Sequence, residues 1–154
     1  PPRRLGALVL IRDQDGRVLL VNPTYRAGWQ LPGGAAHAGE SIGTAAAREL
    51  AEETGLTREI THALAVDQMP RNTETGSTEG LNVVCDGGRL TADEAAVVAV
   101  PDSATGELTG LRWVPLDQLG EITLPYQERR IRQAVSAAVL GNRLPLLKAG
   151  EPSA

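Results

Sequence analysis

From Ser41 to Gly55 the chain reads Ser-Ile-Gly-Thr-Ala-Ala-Ala-Arg-Glu-Leu-Ala-Glu-Glu-Thr-Gly, a run that little but a helix satisfies. Ser41 suits an N-cap, the alanines, Leu50 and three glutamates favour helix, and Gly55 suits the position just past the end. At about 100° per residue, Glu52 lies about 60° to one side of Glu49 and Glu53 about 40° to the other. The three carboxylates are therefore expected on one face, with Ala47, Leu50, Ala51 and Thr54 opposite. Ala45 and Ala46 would flank the carboxylates and leave room for a bulky ligand. Like charges this close repel, and a hard divalent cation with oxygen ligands offsets them. Magnesium suits a few carboxylates completed by water and phosphate oxygens. Taken alone, such a helix would more commonly be just a solvated acidic face.

The rest of the chain supplies mixed elements around this helix. Apolar runs at Leu5 to Ile11 and Val18 to Val21 flank Asp15-Gly16 and read as a buried β-hairpin. Strands are expected over Glu59 to Met69, Leu81 to Cys85, Ala95 to Val100 and Leu108 to Val114, with a turn at Gly87-Gly88 and a loop over Pro70 to Gly80. Ile131, Val135 and Val139 recur at helical spacing within a helix over Leu124 to Leu140, ended by Gly141. One domain over 1–144 is expected, with 145–154 as a flexible C-terminal tail.

Bulk properties exclude several classes. The 154 residues suffice for one core, and a net charge of −4 without a basic stripe argues against a nucleic-acid duplex as partner. Cys85 is the single cysteine, so neither an internal disulfide nor a cysteine-rich zinc cluster can form. No apolar run reaches membrane-spanning length and no signal-peptide pattern opens the chain, so a cytoplasmic location is expected.

What lifts the helix above the solvated-face reading is its context. Gly34, five residues, Glu40, seven residues, Arg48-Glu49-Leu50, one residue, Glu52-Glu53, one residue, Gly55-Leu56 resembles the Nudix box at all of its specified positions. Trp29-Gln30-Leu31-Pro32-Gly33-Gly34 and Leu111-Arg112-Trp113-Val114-Pro115-Leu116 also look like that family. The resemblance implies an α/β fold, an α/β/α sandwich with a mixed β-sheet carrying the box as loop-helix-loop. It also implies Mg2+-dependent hydrolysis of a diphosphate bond, with Mn2+ as the alternative ion.

Site residues follow as what the resemblance implies. Glu49, Glu52 and Glu53 would ligate metal, with a main-chain carbonyl of Gly33 or Gly34. Arg48 would orient a glutamate, while the role of Glu40 stays open between helix-terminus stabilisation and peripheral metal binding. A general base is expected on a late loop: Glu107 is the candidate, with Glu94 and Glu79 as competitors. Tyr25 and Arg26 are the candidate substrate contacts, Arg26 for phosphate.

His37 and His62 read as loop or surface residues, Cys85 and Trp29 as core, and Arg129, Arg130 and Arg132 as a solvated helix face. Pro70, fifteen residues beyond Gly55, is similar to a marker of ADP-ribose pyrophosphatases. The favoured substrate is a small phosphorylated molecule, a nucleoside diphosphate linked to another moiety, with nucleoside triphosphates next. Two rivals share the scaffold. A nucleotide-sensing module without catalysis is disfavoured by the intact glutamates, and a prenyl diphosphate isomerase by the core setting of Cys85. Family members are often dimers, which leaves a homodimer open.

Overall fold

A computed structural model describes residues 2–153. Its centre is strand β1 (Arg4–Arg12), whose side chains from Ala7 to Ile11 are buried on both faces, apart from a partly exposed Leu8. One edge of β1 pairs in parallel with β5 (Gly80–Arg89). The other edge is shared: β3 (Gly33–Ala35) pairs antiparallel with Gly6 to Leu8, and β2 (Val18–Pro23) takes over at Arg12. With β4 (His62–Met69), β6 (Leu108–Val114) and β7 (Leu144–Pro145), the sheet runs β6-β2-β1-β5-β4-β7, with β3 lying beside β1 off that path. One parallel pair among antiparallel ones makes it mixed.

Strand periodicity sorts the core into two layers. Val9, Ile11, Leu19, Val83 and Cys85 face α1 (Ile42–Thr54), packing against Ala46 and Leu50. Their chain neighbours Leu10, Val18, Leu20 and Val84 face the opposite way, onto Ile131, Ala134 and Val135 of α4 (Pro125–Leu140), which follows the short α3 (Leu119–Ile122). Helices on both faces of a mixed sheet give the α/β/α sandwich. Each fully buried leucine of this kind contributes roughly 1.5–3 kcal/mol.

Several sequence expectations need correction. Ala95 to Val100 is not a strand: α2 (Ala92–Ala96) occupies its start, capped reciprocally by Thr91 and Glu94. The Thr-x-x-Glu pattern was the readable signal, and it outweighs the β-branched residues behind it. Gly87-Gly88 does not turn the chain but lies inside β5, where a Cβ on Gly87 would strike Ile11 and Val9 of β1. Arg130 does not belong to a solvated face; it lies on the core side of α4 with Gln127 and Ile131. Near the C-terminus β7 pairs with β4, Leu146 is buried, and β8 (Leu147–Lys148) pairs with β9 (Glu151–Pro152). Among the described residues no helix is long and apolar enough to cross a membrane.

Candidate active site

The helix α1 starts and stops where local chemistry dictates. Ser41 accepts a hydrogen bond from the Thr44 N–H, and Gly55 takes the left-handed conformation at φ 77°. Loss of such a cap costs about 1 kcal/mol. The buried stripe, however, is Gly43, Ala45, Ala46, Leu50, Glu53 and Thr54. Ala45 and Ala46 are thus core residues rather than free space beside a ligand, because the sheet covers their side of the helix.

The carboxylates are consequently unequal. Glu53 is 7% exposed, whereas the Glu52 side chain is 57% exposed. Glu49 and Glu53 line a cavity of about 310 Å³ together with Gly33, Gly34, Ala35, Tyr25, Leu108 and Glu107. Glu52 lies outside that lining. Among the described residues no three acidic, histidine or cysteine side chains converge tightly enough to form a preassembled ion cage. The reason is visible in their partners: the Gly33 N–H donates to both oxygens of Glu53 at 3.2 and 3.3 Å, and Arg48 Nη1 donates to Glu49 at 3.0 Å.

Electrostatics mark the cavity as strained for charge. Burial, opposed by the Gly33 N–H and reinforced by Glu49, Glu107 and Glu52, pushes Glu53 up to about 8. Burial likewise raises Glu49, against the pull of Arg48. By contrast, hydrogen bonds from Arg48 and the His37 N–H hold Glu40 down at about 2. Arg48 also donates to the carbonyl of Ala35 at 3.2 Å and reaches Glu52 at 3.5 Å. It orients glutamates and the β3 backbone rather than pointing into the cleft.

The donor set fits a hard cation: the carboxylates of Glu49, Glu53 and Glu107 line the cavity, and Glu49 and Glu53 resist ionising without a counter-charge. Gly34 fits too. A Cβ there would come within 2.6 Å of Glu49 Oε1, filling the space where that carboxylate sits.

Among the candidate bases, Glu107 alone borders this cavity. Its backbone carbonyl accepts from the Thr24 N–H at 2.8 Å, which fixes the loop before β6. Glu94 is committed to its cap and to Arg58, and Glu79 to Arg3 at 2.7 Å. Tyr25 is exposed, with Arg26 stacked 5.2 Å from its ring centre. Both line a second, larger cleft of about 680 Å³, which shares Tyr25 and Gly33 to Ala35 with the carboxylate cavity.

Pro70 also borders that cleft, whereas Trp29 packs against the α4-side core. Cys85 is fully buried, borders neither cavity, and has its thiol pushed up to about 12 by burial, which disfavours a cysteine-based reaction. His37 is exposed and His62 half-buried, neither at the cavities.

The profile of the NUDIX domain matches residues 2–137. The chain belongs to the NUDIX family. A putative 8-oxo-dGTP diphosphatase of Bacillus subtilis is 29% identical, over 86% of this Nudix chain and 80% of the relative. An RNA pyrophosphohydrolase of Caulobacter vibrioides is 31% identical, covering 92% of this chain and 88% of its own. Among solved structures, the MutT protein of Methanosarcina mazei Go1 superposes with a TM-score of 0.71 at 27% identity, over 90% and 96% of the two chains. The protein is accordingly a Nudix pyrophosphohydrolase, of a family that generally works with a divalent metal.

Gln30, Gln127 and Arg130, all buried and all bordering the larger cleft, escaped the sequence reading. For Arg130 a signal existed. It precedes Ile131 and follows Gln127 by three positions, so the core-facing arc of α4 had to include it.

Proposed function

We propose that this Nudix protein hydrolyses a diphosphate bond of a small nucleotide with Mg2+, the substrate being a nucleoside triphosphate or a nucleoside diphosphate linked to another moiety. The observation that carries the reading is the junction of the two cavities. The carboxylate cavity and the cleft share the short wall Gly33 to Ala35 and the ring of Tyr25. A phosphate chain at the junction would face the carboxylates while the rest of the molecule occupies the cleft. The two relatives matched over most of their length are named for nucleotide and RNA pyrophosphate chemistry, which favours the triphosphate.

Glu49 and Glu53 would hold the metal, with Glu52 at the rim and a carbonyl of Gly33 or Gly34. When bound, the ion neutralises diphosphate charge and acidifies the attacking water. The chain's own residues do the rest. Arg48 fixes the Glu49 carboxylate, and the Gly33 N–H fixes Glu53. Glu107, which also lines the cavity, accepts the proton of the attacking water. Arg26 contacts phosphate at the cleft entrance, and Tyr25 flanks it.

A panel of nucleoside triphosphates, nucleotide sugars and dinucleoside polyphosphates, incubated with the purified chain and Mg2+, tests this. Release of monophosphate or pyrophosphate that stops on chelation is expected. Activity on ADP-ribose alone would shift the substrate to the linked diphosphates, in keeping with Pro70. Binding without any product would instead support the sensing module.

A further inference from the structure

The lining of the large cleft carries a polar constellation that the chemistry at the carboxylates does not use. The Arg130 side chain is only 4% exposed. Its Nε donates to Asp67 Oδ2 at 2.7 Å, its Nη1 donates to Gln127 Oε1 at 3.2 Å, and its guanidinium lies 5.4 Å from the Tyr126 ring centre. Those contacts lock the fork in place. Nη2 has no partner among the described residues, and Arg130 borders the cleft.

Gln30 makes the same point independently. It is 8% exposed, and its side-chain amide bonds to no protein group among the described residues. No buried side-chain polar atom of the described residues is orphaned, so the Gln30 amide opens onto the cleft it lines. A buried amide left this way asks for a ligand that presents both a donor and an acceptor.

We propose that Arg130, held by Asp67, reads the exocyclic C6 carbonyl oxygen of a 6-oxopurine, making the enzyme selective for guanine- or hypoxanthine-type nucleotides over adenine ones. The inference rests on the proposed function only in taking the cleft as the nucleotide's seat. Three physical points support it. Asp67 already neutralises Arg130, so this wall does not seek a phosphate anion but a neutral acceptor. A guanidinium can only donate, so the amino group of adenine at the same place would set donor against donor and leave a desolvated cation unsatisfied. The cleft's volume of about 680 Å³ leaves room for a two-ring base with its ribose, and Gln30 can adapt to the ring atoms next to the oxygen.

Calorimetry with nucleoside monophosphates in the absence of metal separates base recognition from hydrolysis. GMP and IMP are expected to bind at least about tenfold more tightly than AMP. In Arg130→Lys, which keeps a cation for Asp67 but loses the fork, that ratio is expected to fall toward one. Near-equal affinities in the unaltered protein would overturn the proposal, as would no binding of GMP at millimolar concentration. A variant that weakens all three ligands by the same factor would also overturn it. Should Arg130→Lys fail to fold, the unaltered protein's ratio and a Gln30→Ala variant, expected to lower the same ratio, still decide. If no nucleotide is hydrolysed with Mg2+ while the ratio holds, the hydrolytic proposal fails and base recognition stands.

Discussion

Arg48 grips Glu40 with a two-pronged fork, Nε to Oε2 at 2.8 Å and Nη2 to Oε1 at 3.0 Å. Glu40 also accepts the His37 N–H at 3.0 Å, so the loop ahead of α1 is stapled to the middle of the helix. The remaining prong of Arg48 turns to Glu49. Glu40 therefore lies at one remove from the cavity, linked to Glu49 through Arg48.

The fork has a pH signature. Glu40 is held at about 2, below its ordinary 4.5, so its contribution to stability is fully present above about pH 4.5 and drains away as pH falls toward 2. Urea midpoints measured across that window should fall more steeply for the unaltered protein than for Glu40→Gln. Parallel curves would show the fork contributes nothing to folding.

Gly34→Ala should cripple the site without unfolding it. The added methyl would meet the Glu49 carboxylate at 2.6 Å, and the flexible end of that side chain is what yields. Metal affinity is expected to drop about 10- to 100-fold, the range seen when a ligand's support is disturbed. Titration of Mn2+ by electron paramagnetic resonance measures it, and unchanged affinity would exclude Glu49 as a ligand.

Glu53→Gln should remove turnover and raise metal-free stability together. A carboxyl whose folded value is about 8 contributes most below about pH 4.5 and loses that contribution as pH rises to 8. At pH 8 a neutral glutamine avoids this cost, so Tm should rise while kcat falls more than about 100-fold. A lowered Tm would mean that the Gly33 hydrogen bond outweighs the burial cost.

Metal uptake should release protons. With Glu53 at about 8, close to one proton leaves per ion bound at pH 7, and affinity should climb as pH approaches 8. Calorimetry in buffers of different ionisation enthalpy counts those protons. A count near zero would place the ion away from Glu53.

Glu107→Gln is expected to abolish the acidic limb of the kcat/KM profile, since Glu107 is the candidate base that borders the carboxylate cavity. An intact limb would assign proton removal elsewhere.

Much of this architecture was legible in the chain because local rules decide it. Ser41 and Gly55 bound α1, and the alternation of Val9, Leu10 and Ile11 assigns their side chains to opposite layers. Helical arithmetic alone placed Glu49, Glu52 and Glu53 together, yet it could not say which the sheet would cover. That depends on β3 crossing beneath α1, a tertiary fact, and it separates buried Glu53 from exposed Glu52. Arg130 was misread for a related reason. Its charge suggests solvent, while Asp67 on β4, sixty-three residues away, is what permits burial. A partner so distant leaves no local trace.

Besides Tyr25, the two cavities share the wall Gly33 to Ala35, three residues with almost no side-chain bulk. A ligand lying across it is therefore measured as by a ruler. If the proposed function holds, the group lodged in the cleft and the phosphorus presented to the carboxylates would be a fixed number of atoms apart. Lengthening a phosphate chain by one unit would move the cut along it by one bond. In such a device the position of scission belongs to the span between two sites, and to neither of them alone.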